Sequence, residues 1–188
     1  MSIDYYVYLK DADNFSAEDF EEYCNSLGLC VALHPSFDLL KNTGFMQMKF
    51  TDMRFAENAE DGAFLSGFEL FSSEYRHIPQ PEKKKGGLIG RLFKKRSDEE
   101  SPFDKAIKGS TLVLEISCRS ADSFEVLLAH VFGAYFVKDL CGVFDDPQTG
   151  QFYDDNKHLE DVITEILTEL QEEKNKGELL AHKFVKWG

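Results

Sequence analysis

The apolar positions of this chain fall into two periods that alternate along its length. "IDYYVYLK" (Ile3–Lys10) is rich in aromatic and branched residues and predicts a strand. Ser16 then stands as an N-cap, with Asp19 three residues on. Phe20, Tyr23, Cys24 and Leu27 follow at i, i+3, i+4 and i+7, one face of a helix that Gly28 stops. "LCVALH" (Leu29–His34) predicts a short buried strand, ended by Pro35. In Gly44–Phe50 the residues Met46, Met48 and Phe50 alternate with Phe45, Gln47 and Lys49, the two-residue period of a strand with one core face. Ala63–Phe71 predicts a further strand, bulged at Gly67.

After residue 105 the order recurs. Ser110–Arg119 predicts a strand. A helix follows, with Asp122 as N-cap and Glu125 at its third position, and Val126–Val137 inside it is apolar on every side apart from His130, as in a buried helix. In "GVFDDPQTGQFYDD", Pro147 sets φ for a turn, Asp146 caps it and Gly150 supplies a positive φ, which predicts a hairpin between "GVFD" and "QFYD". Last comes Asn156–Lys174. Leu159, Val162, Ile163, Ile166, Leu167 and Leu170 form one face, and Glu160, Asp161, Glu165, Glu169, Glu172 and Glu173 form the other.

Together these elements predict one α+β domain. Its sheet is largely antiparallel, built from two strand–helix–strand–strand halves (1–78 and 106–188) with helices on one face, plus a C-terminal amphipathic helix. Residues 79–105, bracketed by prolines and loosened by glycines, read as a mobile basic linker. Similar five-residue joints, "DADNF" and "SADSF", would fit an internal duplication whose units join edge to edge.

Charge sharpens this picture. The chain carries a net charge of −13. Seven of its 21 basic residues lie in Lys83–Arg96, which leaves 14 basic against 34 acidic residues elsewhere, a balance of −20. Such a body repels nucleic acid and anionic lipid and attracts a basic partner. The basic segment itself, "KKKGGLIGRLFKKR", places Leu88, Ile89, Leu92 and Phe93 on one side of a short helix and Arg91, Lys94 and Lys95 on the other. Three readings of it stay open: a linker whose apolar residues dock on the body, a partner-protein contact, and a contact with an anionic membrane surface. For the last two, Lys84, Arg91, Leu92, Phe93, Lys94 and Lys95 are the candidate contacts. No apolar run approaches the roughly 18 residues of a membrane span. The N-terminus lacks the order of a signal peptide and the four cysteines show no paired spacing, so a cytoplasmic location is expected, with the cysteines as small core residues.

The chain carries no local signature of catalysis. There is no H-E-x-x-H and no Cys–His ligand spacing, so no metal or cofactor is expected. The aspartates of "DDPQTGQFYDD" lack the spacing of a calcium loop and read as turn caps. There is no G-x-S-x-G elbow and no phosphate-cradling loop. Cys141 with His130 is the one pair whose geometry would matter to a nucleophilic mechanism.

The stretch Leu112–Asp155 holds a strand, an apolar helix with Ala129, Gly133 and Ala134, and "CGVFDDPQTGQFYDD". It resembles the ending of small bacterial α+β proteins, several of which look like immunity proteins that sit beside secreted toxins. The resemblance implies a cytosolic, non-enzymatic role in binding a protein partner, such as a basic toxin. The surface expected to bind is the acidic face of the last long helix, at Asp161, Glu165, Glu169 and Glu172.

Overall fold

A computed structural model of the chain describes residues 2–41, 43–51, 64–76 and 101–178. Seven strands, β1 (Ser2–Leu9), β2 (Val31–Leu33), β3 (Thr43–Phe50), β4 (Phe64–Glu74), β5 (Leu112–Arg119), β6 (Val143–Asp146) and β7 (Gln151–Tyr153), form one sheet in the order β2-β3-β4-β5-β1-β6-β7. Every neighbouring pair is antiparallel. Among the described residues four helices accompany it: α1 (Ala17–Ser26), α2 (Pro102–Ala106), α3 (Ser123–Asp139) and α4 (Asn156–Lys176). The fold is α+β.

The two halves do not join edge to edge. β1 is flanked by β5 and β6, and β5 by β4 and β1, so each half has its first strand inserted against the other half's strands. The β1–β5 ladder runs from Ser2↔Arg119 to Leu9↔Leu112 and is the seam of the molecule. One continuous core results.

Alternation along each strand divides the sheet into two faces. Tyr5, Val7 and Leu9 of β1, Met46, Met48 and Phe50 of β3, Phe68 and Leu70 of β4, and Leu114, Ile116 and Cys118 of β5 are buried toward the helices. α3 lies against that face, with Phe124, Glu125 and every residue from Leu127 to Val137 buried, because a helix apolar on every side must be covered on every side. α1 presents Phe20, Tyr23 and Cys24, and α4 presents Leu159, Ile163 and Leu170, to α3 and the same core. Phe132 is the hub, with ring centroids 5.4 Å from Phe20, 5.4 Å from Phe68 and 4.8 Å from Phe136.

Several local expectations change. The β3–β4 register is unbroken from Thr43↔Phe71 to Phe50↔Phe64, so Gly67 marks a close approach of backbone and not a bulge. Its absent Cβ would overlap the carbonyl oxygen of Met46. Asp122 caps α3 through the backbone N–H groups of Phe124 and Glu125, but the Glu125 carboxylate accepts from the Arg119 N–H at 2.7 Å and ties α3 to the end of β5. Cys24 and Cys118 are buried as expected, whereas Cys30 and Cys141 are exposed. Finally, α2 begins inside the expected linker, 79–105, and runs one residue past its end. Ser101 caps it through the Asp104 N–H at 3.0 Å, and Pro102 occupies its first turn, where a missing N–H costs nothing.

Candidate functional site

α4 is clamped at both ends, and that clamp positions its acidic face. Asp155 caps the N-terminus through the Lys157 N–H at 2.8 Å and also meets His158 Nδ1 at 2.9 Å. The backbone hydrogen bond and His158 both hold its carboxyl below the usual range. Gly177, at φ 73°, closes the C-terminus in the left-handed conformation, with its N–H on the Lys174 carbonyl and the Glu178 N–H on the Glu173 carbonyl. On the inner side Ile166 and Leu167 extend the buried stripe.

Asp161, Glu165, Glu169 and Glu172 fall at spacings of four, four and three residues. One stripe of the helix therefore holds all four, and all are exposed. Glu172 is partnered by Lys176 at 3.7 Å. Asp161, Glu165 and Glu169 form no ion pair among the described residues. The other two acidic residues of the expected face have structural partners: Glu160 accepts from the Asn156 amide, and Glu173 accepts from Ser123 Oγ at 3.2 Å, which links α4 to the start of α3. The structure thus divides the predicted face into four outward carboxylates and two that fasten the helix.

The remaining candidates disperse. Lys84, Arg91, Leu92, Phe93, Lys94 and Lys95 lie outside the described residues. His130 is buried between Tyr5 and Phe144, with centroids at 5.0 and 5.3 Å, and its Nδ1–H donates to the Val126 carbonyl at 2.9 Å. Cys141 is exposed beyond the end of α3, whereas His130 is buried nine residues before that end, about 14 Å of helical rise, so the two make no catalytic pair. In the hairpin, Asp146 Oδ1 accepts from the Gln148 N–H and Oδ2 from Thr149 Oγ1, both at 2.9 Å. These are turn-capping bonds. Among the described residues no group of three or more His, Cys, Asp and Glu could hold a metal ion, and no helix is long and apolar enough to cross a membrane.

Burial lowers the pKa of His130 from 6.5, against the opposing pull of the Val126 carbonyl and the Asp146 carboxylate. The ring is neutral in the fold at neutral pH, whereas the unfolded chain takes up a proton as pH falls through 6.5. Stability is therefore expected to fall below that pH, by up to about 1.4 kcal/mol per pH unit, until the folded-state value is reached. Thermal melts of the native chain and of His130→Phe between pH 8 and pH 5 check this. The native chain should lose melting temperature relative to the variant as the pH is lowered, and a constant difference would refute it.

The fold and its surface define an α+β protein with a seven-stranded antiparallel sheet and an outward acidic helix face. The chain matches no family model, no curated protein and no solved structure.

Proposed function

We propose that this chain is a non-catalytic protein-binding module of the immunity type, taking a basic protein such as a cytoplasmic-acting toxin through the acidic stripe of α4. The observation that carries the reading is the exposure of Asp161, Glu165 and Glu169 on a helix fixed at both caps, with no ion pair among the described residues. Carboxylates held on a rigid element and lacking internal counter-ions lose little freedom on meeting a cationic surface, and they steer its approach. The −13 net charge extends that steering field.

The expected result is a stoichiometric complex with a basic protein of the native host, whose association slows as salt is raised. Changing Asp161, Glu165 and Glu169 together to lysine should weaken it by about a hundredfold or more, since like charges placed face to face cost several kcal/mol. Circular dichroism should show the triple variant as helical as the native chain, because all three positions are exposed. Calorimetry that finds the affinity unchanged by the triple reversal would overturn the assignment.

A further inference from the structure

The second face of the sheet carries an ordered pattern that the α4 stripe does not explain. Strand registers place Asp145 of β6, Tyr6 of β1, Glu115 of β5 and Phe71 of β4 in one row across four strands. The adjoining row holds Asp4, Ser117 and Glu69. Acidic and aromatic side chains thus alternate over a patch about 14 Å wide, three strand spacings. Glu69, Glu115 and Phe71 are exposed, Phe71 by 39%. Burial and then the carboxylates of Glu115, Asp4 and Asp145 raise the pKa of Tyr6, so three acids surround one ring. Against these four carboxylates the face carries the cations Arg119 and Lys49.

Among the described residues, one end of this face is covered by α2. Phe103 packs on Tyr8 at 5.6 Å and on Phe152 at 5.4 Å, and Tyr75 packs on Tyr8 at 5.0 Å. Tyr75 follows β4 and Phe103 belongs to α2, so the two ends of the chain between residues 76 and 101 meet on a single outer-face ring. That stretch contains Lys83–Arg96, with seven basic side chains, four apolar ones and no acid.

We infer that the outer face formed by Asp4, Tyr6, Glu69, Phe71, Glu115 and Asp145 is a docking surface, and that its occupant is the chain's own cationic segment Lys83–Arg96. Charge and composition match: cations interleaved with Leu88, Ile89, Leu92 and Phe93 meet carboxylates interleaved with rings, an arrangement that offers ion pairs and cation–π contacts together. Reach matches too. Seven residues from Arg76 to Lys83 span up to about 25 Å, and five from Arg96 to Ser101 up to about 17 Å, against about 14 Å from Tyr8 to Asp4 along β1. Tethering at both ends sets an effective concentration of order millimolar, so modest intrinsic affinity suffices. This surface is separate from the α4 stripe, and the inference stands or falls independently of it.

The experiment uses a labelled synthetic peptide of Lys83–Arg96, the intact chain, and a variant with those fourteen residues replaced by glycine and serine. Fluorescence anisotropy should show the peptide binding the replaced variant and binding the intact chain about a hundredfold more weakly, as expected for a tethered competitor of order 10 μM affinity. In the replaced variant, Glu115→Lys with Glu69→Lys should abolish binding, whereas Glu165→Lys with Glu169→Lys should leave it unchanged. Circular dichroism melts confirm that each exposed-site variant is folded. Four results would each overturn the inference: no binding to either chain, equal binding to both, loss of binding only on reversal of α4, and capture of the intact chain by phosphatidylserine vesicles as strongly as the free peptide. A tight complex between the replaced variant and a basic host protein leaves the binding role of the α4 stripe intact in any of these cases.

Discussion

Gly67→Ala is expected to destabilise the fold by on the order of 3 kcal/mol or more, although it adds a single methyl group at a strand position. Gly67 sits in the middle of β4 opposite Gln47, at φ 156°. A Cβ there would overlap the Met46 carbonyl oxygen, and it would lie 3.0 Å from the carbonyl carbon and 3.1 Å from the Phe45 ring. The carbonyl oxygen cannot yield as a side chain would, because it belongs to the backbone of the paired strand. Relief requires β3 and β4 to separate locally, and both strands send buried residues into the core: Met46 and Met48 from one, Phe68 and Leu70 from the other. Urea denaturation would show a lower midpoint. A second change, Phe45→Leu, should recover little, since the ring is the lesser obstacle. A Gly67→Ala chain with the native midpoint would show that the strands approach less closely than the structure has them.

The consequence bears on the outer face as well as on stability. Glu69 and Phe71 follow Gly67 along β4, on the same side of the sheet. Their alignment with Ser117 and Glu115 depends on the register that the glycine permits. The alternation of acidic and aromatic residues is thus a property of four strands held in register and not of any one of them.

That dependence explains what was legible in the chain and what was not. Short-range periodicity is a local signal, so Met46, Met48 and Phe50 declare the core face of β3, and the caps Ser16 and Asp122 lie where helices begin. The acidic stripe of α4 was legible for the same reason: spacings of three and four residues put Asp161, Glu165, Glu169 and Glu172 together whatever the rest of the fold does. Pairing between distant strands leaves no such mark. Nothing near Ser2 announces Arg119 as its partner, so the exchange of β1 and β5 between halves was hidden, and with it the outer-face row from Asp145 to Phe71. α2 shows no periodicity although Ser101–Pro102 carries a cap followed by proline, because five residues are too few to show a period. The spacing of Glu125 fits a capping box, but its carboxylate accepts from the Arg119 N–H at the end of β5, and the Asp122 N–H donates to the Arg119 carbonyl.

Phe132→Ala should cost about 3–5 kcal/mol, the range for removing a large buried aromatic. Its ring is fully buried and stands edge-on to Phe20 of α1, Phe68 of β4 and Phe136 one turn along α3, with Phe15 at 6.4 Å. Each such pair adds about 0.5–1.5 kcal/mol beyond the area it buries. Three elements lose a common contact at once, and the rings around the hole are too large to collapse into it. For a chain of this length the melting temperature should drop by on the order of 10 °C. Phe132→Leu, which leaves most of the volume filled, should cost well under half as much. Partner binding supplies the second readout. α4 packs on α3 through Leu159 and Ile163, away from its acidic stripe. Below its melting transition the Phe132→Ala chain should therefore bind with native affinity, while the triple reversal on α4 should bind weakly at native stability. An equal loss of affinity in both variants would mean that the stripe does not act as a surface on its own, and that binding instead reads the packing of the core.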